Sequence, residues 1–289
     1  MRYDISVLYF FIDNFCKVYE GWEAARMLPH PGKRKRGCNM ALSELLTIMI
    51  GYHLSGYKCF KYYYLYEIGM KHRDKFPTLL SYNRYVQLMP RLFLPLYVLL
   101  HSLRGKETGL YFMDSTHLAI CHNKRISRNK VFKGIAQRGK TTMGWFFGFK
   151  LHLVVNNQGQ IMALKITKGN IDDRTPAPGM TKNLKGIVAA DKGYLSKKLF
   201  AELYTKGLKL ITGIRKDMKN YLMPLQEKIF LRKRFLVETV FDKLKSYLNI
   251  NHSRHRSTAN ALINWIAALT AYQTLTNKPA LKAFSLIQN

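Results

Sequence analysis

Two short apolar runs in the second part of the chain, Leu110–Met113 and Ile187–Ala190, are each followed at once by an aspartate, Asp114 and Asp191. Runs of this length suit buried strands. If the strands are neighbours and parallel, both carboxylates emerge at one sheet edge, where ligands of open α/β sheets sit. Two close carboxylates repel, and a hard divalent cation held by oxygen ligands relieves that repulsion. Taken singly, either aspartate could equally cap the turn after its strand. A third carboxylate, Glu238, follows the basic run Arg232-Lys233-Arg234. Val237, Phe241, Leu244 and Leu248 form an apolar stripe at helical spacing, and Glu238 lies beside it, at a helix–sheet margin. Arg234 at i−4 and Lys245 at i+7 share the Glu238 face. An ordinary helix salt bridge accounts for Arg234 with Glu238 but leaves Lys245 unexplained.

The acids stand out because they are scarce. The 289 residues carry 47 Lys and Arg against 17 Asp and Glu, a formal charge of +30. Residues 109–289 hold 31 of the basic and 9 of the acidic residues. Such a charge is self-repulsive unless a polyanion neutralises it, and nucleic acid is the first partner to consider, ahead of acidic lipid. Between the first two predicted strands, His122–Lys140 contains Lys124, Arg125, Arg128, Lys130, Lys133, Arg138 and Lys140 and no acid. Arg125, Arg128 and Lys130 are candidate phosphate contacts; a merely solvated face is the alternative. Arg254 and Arg256, and the smaller cluster Lys33–Arg36, are further candidates for DNA contact. The histidines show no zinc-ligand spacing.

Several classes fall away. No stretch reaches 18 apolar residues, so no transmembrane helix and no membrane partner are expected. The N-terminus lacks a secretory pattern. Cys16, Cys38, Cys59 and Cys121 form no Cys-x-x-Cys pair, which fits a reducing cytoplasm better than a disulfide framework.

The elements that must position these residues divide near Gly105–Gly109. Residues 1–108 read as helical: a helix through Leu45, Ile48, Met49 and Tyr52 that Ser43 could cap, a tyrosine-rich Cys59–Ile68 after Gly56, and a third from Ser81 toward Leu103, limited by Pro90 and Pro95. These pairs suit a helix-turn-helix or a plain packing module. The tyrosines read as core rather than a base-stacking platform. Residues 109–289 alternate between strands and helices: Trp145–Val155 with Lys150 and His152 outward, a turn at Asn156–Gly159, a return strand Gln160–Thr167, and Ile187–Ala190. A helix Ser196–Lys206 then stops at Gly207, followed by a strand Leu208–Ile214 and one long helix over Glu227–Asn249. Asp172 and Asp173 suit a turn or an ordering role near the site. The expected class is α/β, a mixed-sheet domain preceded by an α-helical region.

Asp114-Ser115-Thr116, Ala190-Asp191-Lys192-Gly193-Tyr194 and Arg234-x3-Glu238-x6-Lys245, taken in order, resemble the DDE transposases of bacterial insertion sequences. One large branch carries Tyr-x2-Arg-x3-Glu-x6-Lys around its glutamate; Arg, Glu and Lys match in register here, and Leu231 stands at the tyrosine position. Gly169-Asn170-Ile171-Asp172-Asp173 and Ser253–Ser257 with the apolar helix Ala261–Tyr272 also look like family segments, so the resemblance spans about residues 109–275.

The resemblance implies a ribonuclease-H-like catalytic domain over 109–289, with C-terminal helices, after a DNA-binding or dimerisation region over 1–108. It implies that Asp114, Asp191 and Glu238 hold two Mg2+ ions about 4 Å apart, with Mn2+ able to substitute. It implies cleavage of double-stranded DNA at terminal inverted repeats and strand transfer into target DNA by a homodimer in the bacterial cytoplasm, associated with the nucleoid. Arg234 and Lys245 would contact phosphate. The rival readings are a metal-dependent nuclease of the same fold without strand transfer, and a non-catalytic DNA-binding protein.

Overall fold

The computed structural model describes residues 4–26, 38–142, 144–214, 223–251 and 255–281, and the chain divides into two units. The Lys33–Arg36 cluster and Arg254 lie outside the described residues.

The first unit comprises residues up to Leu103 together with Ser246–Ile250 and Ser257–Thr274. Its helices are α1 (Ile5–Arg26), α2 (Leu42–Leu54), the short α3 (Phe60–Tyr62) running into a π-helical stretch (Tyr63–Lys71), α4 (Tyr82–Leu88), α5 (Phe93–Ser102) and, at the far end of the chain, α10 (Thr258–Thr274). Apolar residues occupy every side of α2, and all but its first residue are buried, the pattern of a central core helix. Ser43 is not its cap. Ser43 lies inside the first turn, and the Glu44 carboxylate accepts the Ala41 N–H at 2.7 Å instead. Ser81 does cap α4, accepting from the Arg84 N–H at 3.3 Å, and Pro90 falls in a 3-10 turn (Met89–Leu92) that separates α4 from α5. Tyr52, Phe60, Tyr63, Tyr64 and Tyr85 form one aromatic cluster; Tyr63, Tyr64 and Tyr85 are buried. α10 packs against α2 and α5, so the last helix belongs with the N-terminal helices rather than with the sheet.

The second unit, Arg104–Lys245 with Asn251–Arg256 and Leu275–Asn289, contains a six-stranded mixed sheet. Its strands are β1 (Leu110–Cys121), β2 (Gln137–Thr141), β3 (Gly144–Asn156), β4 (Ile161–Lys168), β5 (Gly186–Ala190) and β6 (Leu208–Thr212). The order is β2-β3-β1-β5-β6, with β4 sharing the free edge of β3. β1 is antiparallel to β3 and parallel to β5, and β5 is parallel to β6. The predicted β3–β4 turn forms as read: the Asn156 side chain accepts the N–H groups of Gln158 and Gln160, and Gly159 takes φ 68°.

Both faces of the sheet are covered. Tyr111, Met113, Val154, Val188 and Ala190 pack with Ala177 and Met180 of the short α6 (Ala177–Met180) and with Leu199 and Leu203 of α7 (Lys197–Thr205). On the other face Phe112 meets Phe230 of α8 (Leu225–Arg232), and α9 (Phe235–Asp242) crosses β1 and β3. The expected outward setting of His152 therefore fails: it is 1% exposed, because the face of β3 it shares with Val154 is packed as well. No helix of the described residues is long and apolar enough to cross a membrane.

Candidate active site

β1 continues past Asp114 to Cys121, so Asp114 does not end its strand as the apolar run suggested. The parallel pairing of β1 with β5, however, does end there. Its last partners are Met113 and Ala190, and the next residue on each strand is Asp114 and Asp191. Parallel neighbours lie about 4.8 Å apart, which sets the two aspartates side by side where the strands part. Asp191 begins the 3-10 turn Lys192–Tyr194 but its side chain makes no capping bond.

The long helix expected over Glu227–Asn249 is broken. α8 ends at Arg232, Lys233 and Arg234 form a turn, and α9 carries Glu238 in its first turn. Arg234 and Glu238 keep their four-residue spacing across the start of α9. Leu236, Val237, Val240 and Phe241 are buried and hold α9 to the sheet, which leaves Glu238 at the margin.

One guanidinium joins the three acids. Arg234 Nη1 donates to Asp114 Oδ2 at 3.1 Å. Its Nη2 lies 2.8 Å from Glu238 Oε1 and 3.9 Å from Asp191 Oδ1. The three carboxylates thus surround one cation. Arg234 occupies the centre of the group, and among the described residues no three acid, His or Cys side chains are themselves grouped to share a metal ion. Asp114 is the most enclosed of the three. Burial pushes its pKa up to about 6, and Asp191 and Glu238 add to the rise, against the Ser115 N–H and Arg234, which favour the charged form.

Lys245 sits in a π-helical turn, Lys243–Tyr247. It forms no ion pair with any described residue; burial lowers its pKa, and its charge helps, after burial, to lower that of His117 on β1. Asp172 and Asp173 part ways. Asp172 takes a surface turn role, clasped by Arg174 through the backbone N–H and the guanidinium, and that clasp brings its pKa down to about 2. Asp173 turns toward the sheet, where it accepts from Lys150 Nζ at 2.9 Å and lies 3.8 Å from the buried His152 Nδ1. His152 Nε2 meets the Thr167 hydroxyl at 2.8 Å. Burial brings the His152 pKa down to about 4, so the ring stays neutral at pH 7. Sequence reading missed this Lys150–His152–Asp173 group; the only signal was two polar residues on alternate positions of an otherwise apolar strand.

In 122–140, Phe132 and Ala136 are buried anchors. Lys124, Arg125, Arg128, Lys130, Lys133, Arg138 and Lys140 are all exposed and none pairs with a described acid. The Asn123 amide donates to the Trp145 carbonyl at 2.7 Å, and Lys140 Nζ lies 5.8 Å from the exposed Trp145 ring. Arg256 is exposed as well.

No curated protein matches the chain. Among solved structures it is similar to the cryo-electron microscopy structure of the piggyBac transposase synaptic complex with hairpin DNA, with TM-score 0.51 and 10% identity over 94% of this chain and 74% of that one. At this identity the likeness concerns the fold. A family model described as a transposase DDE domain matches residues 104–258, the stretch that contains the three carboxylates, their arginine and the basic segment. That match covers more than half of the sequence: the chain belongs to the transposase DDE domain family.

Proposed function

We propose that this protein is a transposase that cuts DNA at the ends of a mobile element and joins the freed 3′-ends to target DNA, with Asp114, Asp191 and Glu238 as its catalytic carboxylates on a ribonuclease-H-like sheet. The observation that carries the reading is the convergence of these three acids on one guanidinium, although they come from the middle of β1, the residue after β5 and the first turn of α9. The donor set fits Mg2+ or Mn2+: it offers only hard carboxylate oxygens, and Asp191 and Glu238 each raise the proton affinity of Asp114, so the group demands positive charge. Divalent cations held there would polarise the phosphodiester and activate the attacking water or 3′-hydroxyl.

The chain's own residues do the rest. Asp114 and Asp191 each follow the last paired residues of β1 and β5, and α9 carries Glu238 within reach of the same guanidinium. Lys245, partly shielded from water and without an acid partner among the described residues, offers its charge to a phosphate oxygen. Exposed Arg125, Arg128 and Lys130, and Arg256, supply contacts that hold duplex DNA without reading its sequence. Two ends must be paired, so the acting form is a dimer.

The test uses Asp114→Asn, Asp191→Asn and Glu238→Gln on end-bearing DNA with a plasmid target. Each variant should lose cleavage by more than about a hundredfold while binding ends as wild type does. Near-wild-type cleavage by any one strikes that residue from the site. Joined products identify a transposase; cuts without joining identify the nuclease reading.

A further inference from the structure

We propose that Arg234 is the resident counter-ion of the carboxylate group and that divalent cations enter by displacing its guanidinium. The inference rests on the reading of Asp114, Asp191 and Glu238 as the metal-binding residues. Arg234 is the only cation among the described residues within ion-pair distance of these acids, and it reaches all three, at 3.1, 3.9 and 2.8 Å. One positive charge against three negative ones leaves two uncompensated when all are ionised. A divalent ion supplies what the guanidinium lacks, so exchange lowers the electrostatic energy of the group. The two cations cannot share the same space, because the guanidinium occupies the middle of the acids.

Placement makes the exchange easy. Arg234 lies in the turn between α8 and α9, where its N–H bonds to the Leu231 carbonyl and its carbonyl accepts from Val237. Neither bond involves the side chain, so the guanidinium can swing out without unwinding a helix. Its side chain is also still 23% exposed, which gives it a route to solvent. Before loading, the fork keeps three like charges together; after loading, it is a free bidentate donor beside the site. Phosphate gripping by Arg234 would then be conditional on metal.

The experiment measures Mn2+ binding without DNA, by electron paramagnetic resonance of free Mn2+, together with thermal melts in EDTA and in Mn2+. Wild type, Asp114→Asn, Arg234→Gln and Arg234→Lys are compared. Arg234→Gln should bind Mn2+ about tenfold more tightly than wild type, melt earlier in EDTA, and gain more from Mn2+. Arg234→Lys, a point charge that cannot bridge three acids, should fall between. Equal or weaker Mn2+ binding by Arg234→Gln overturns the inference and makes Arg234 a bracket that shapes the site. If Arg234→Gln does not fold in either buffer, Arg234→Lys decides: tighter binding than wild type supports displacement, and equal or weaker binding overturns it. Should Asp114→Asn bind Mn2+ as wild type does, the metal-site reading itself falls. Loss of binding in Asp114→Asn with no gain in Arg234→Gln removes the displacement alone.

Discussion

Asp114 is the acid that folding takes furthest from water: its side chain is 21% exposed, against 54% for both Asp191 and Glu238. Its pKa rises from 3.8 to about 6, first through burial. Between those values the folded protein binds more protons than the unfolded chain, so this group's stabilisation is complete below pH 3.8 and lost as pH rises through 6. Asp114→Asn removes the titration. In EDTA, the variant's melting temperature minus that of wild type should therefore grow from pH 4 to about 6.5 and then level off. The gain is at most about 3 kcal/mol, less where solvent reaches the group. Parallel curves would show that Asp114 ionises like an exposed carboxylate. Asp172 and Asp173 show how steeply environment varies over one peptide unit: the first is clasped by a surface arginine and the second pairs with Lys150 against the sheet.

At the scale of elements, the helix that carries Glu238 departs from ideal geometry on both sides. The turn at Lys233–Arg234 separates α8 from α9, and a π-helical turn at Lys243–Tyr247 follows. On an undisturbed α-helix, position i+7 returns to within about 20° of position i. A π turn takes more residues per revolution, so the seven-residue spacing of Glu238 and Lys245 does not carry the register of an undisturbed helix. The basic segment 122–140 is likewise shaped by its anchors. Phe132 packs edge-on to Phe149 and draws the backbone in, while the cations stay in solvent. Replacing Arg125, Arg128 and Lys130 together with glutamine should flatten the log–log salt dependence of DNA binding by up to about 3 units, at about 0.9 per neutralised phosphate. An unchanged slope would make the segment a solvated face.

At the scale of the molecule, the chain returns to its beginning. α10 is buried on every side from Ile263 to Gln273, the polar Asn264, Thr270 and Gln273 included, and it packs against α2 and α5. A helix buried on every side must be surrounded, and the N-terminal helices pack around it. Leu269→Ala should therefore cost about 2–5 kcal/mol in the helical unit. Hydrogen exchange locates the effect: amides of α2 and α5 should lose protection while those of β1, β3 and β5 keep theirs. Loss confined to the strands would instead place α10 with the sheet.

Local patterns were enough for much of this protein. Apolar runs ending in aspartate marked β1 and β5, Asn156–Gly159 marked a turn, Ser81 and Gly207 marked helix ends, and the scarcity of acids in a basic chain pointed to Asp114, Asp191 and Glu238. These features are legible because burial alternation, turn chemistry and capping act over a few residues. Sequence alone could not show that Arg234, 120 residues from Asp114, would lie among all three acids. Nor could it show that Asp173 turns in while Asp172 turns out, that His152 is covered, or that α10 leaves the sheet for the first helices. Each of these depends on which surfaces meet after folding, and residues far apart along the chain leave no periodic trace of that encounter.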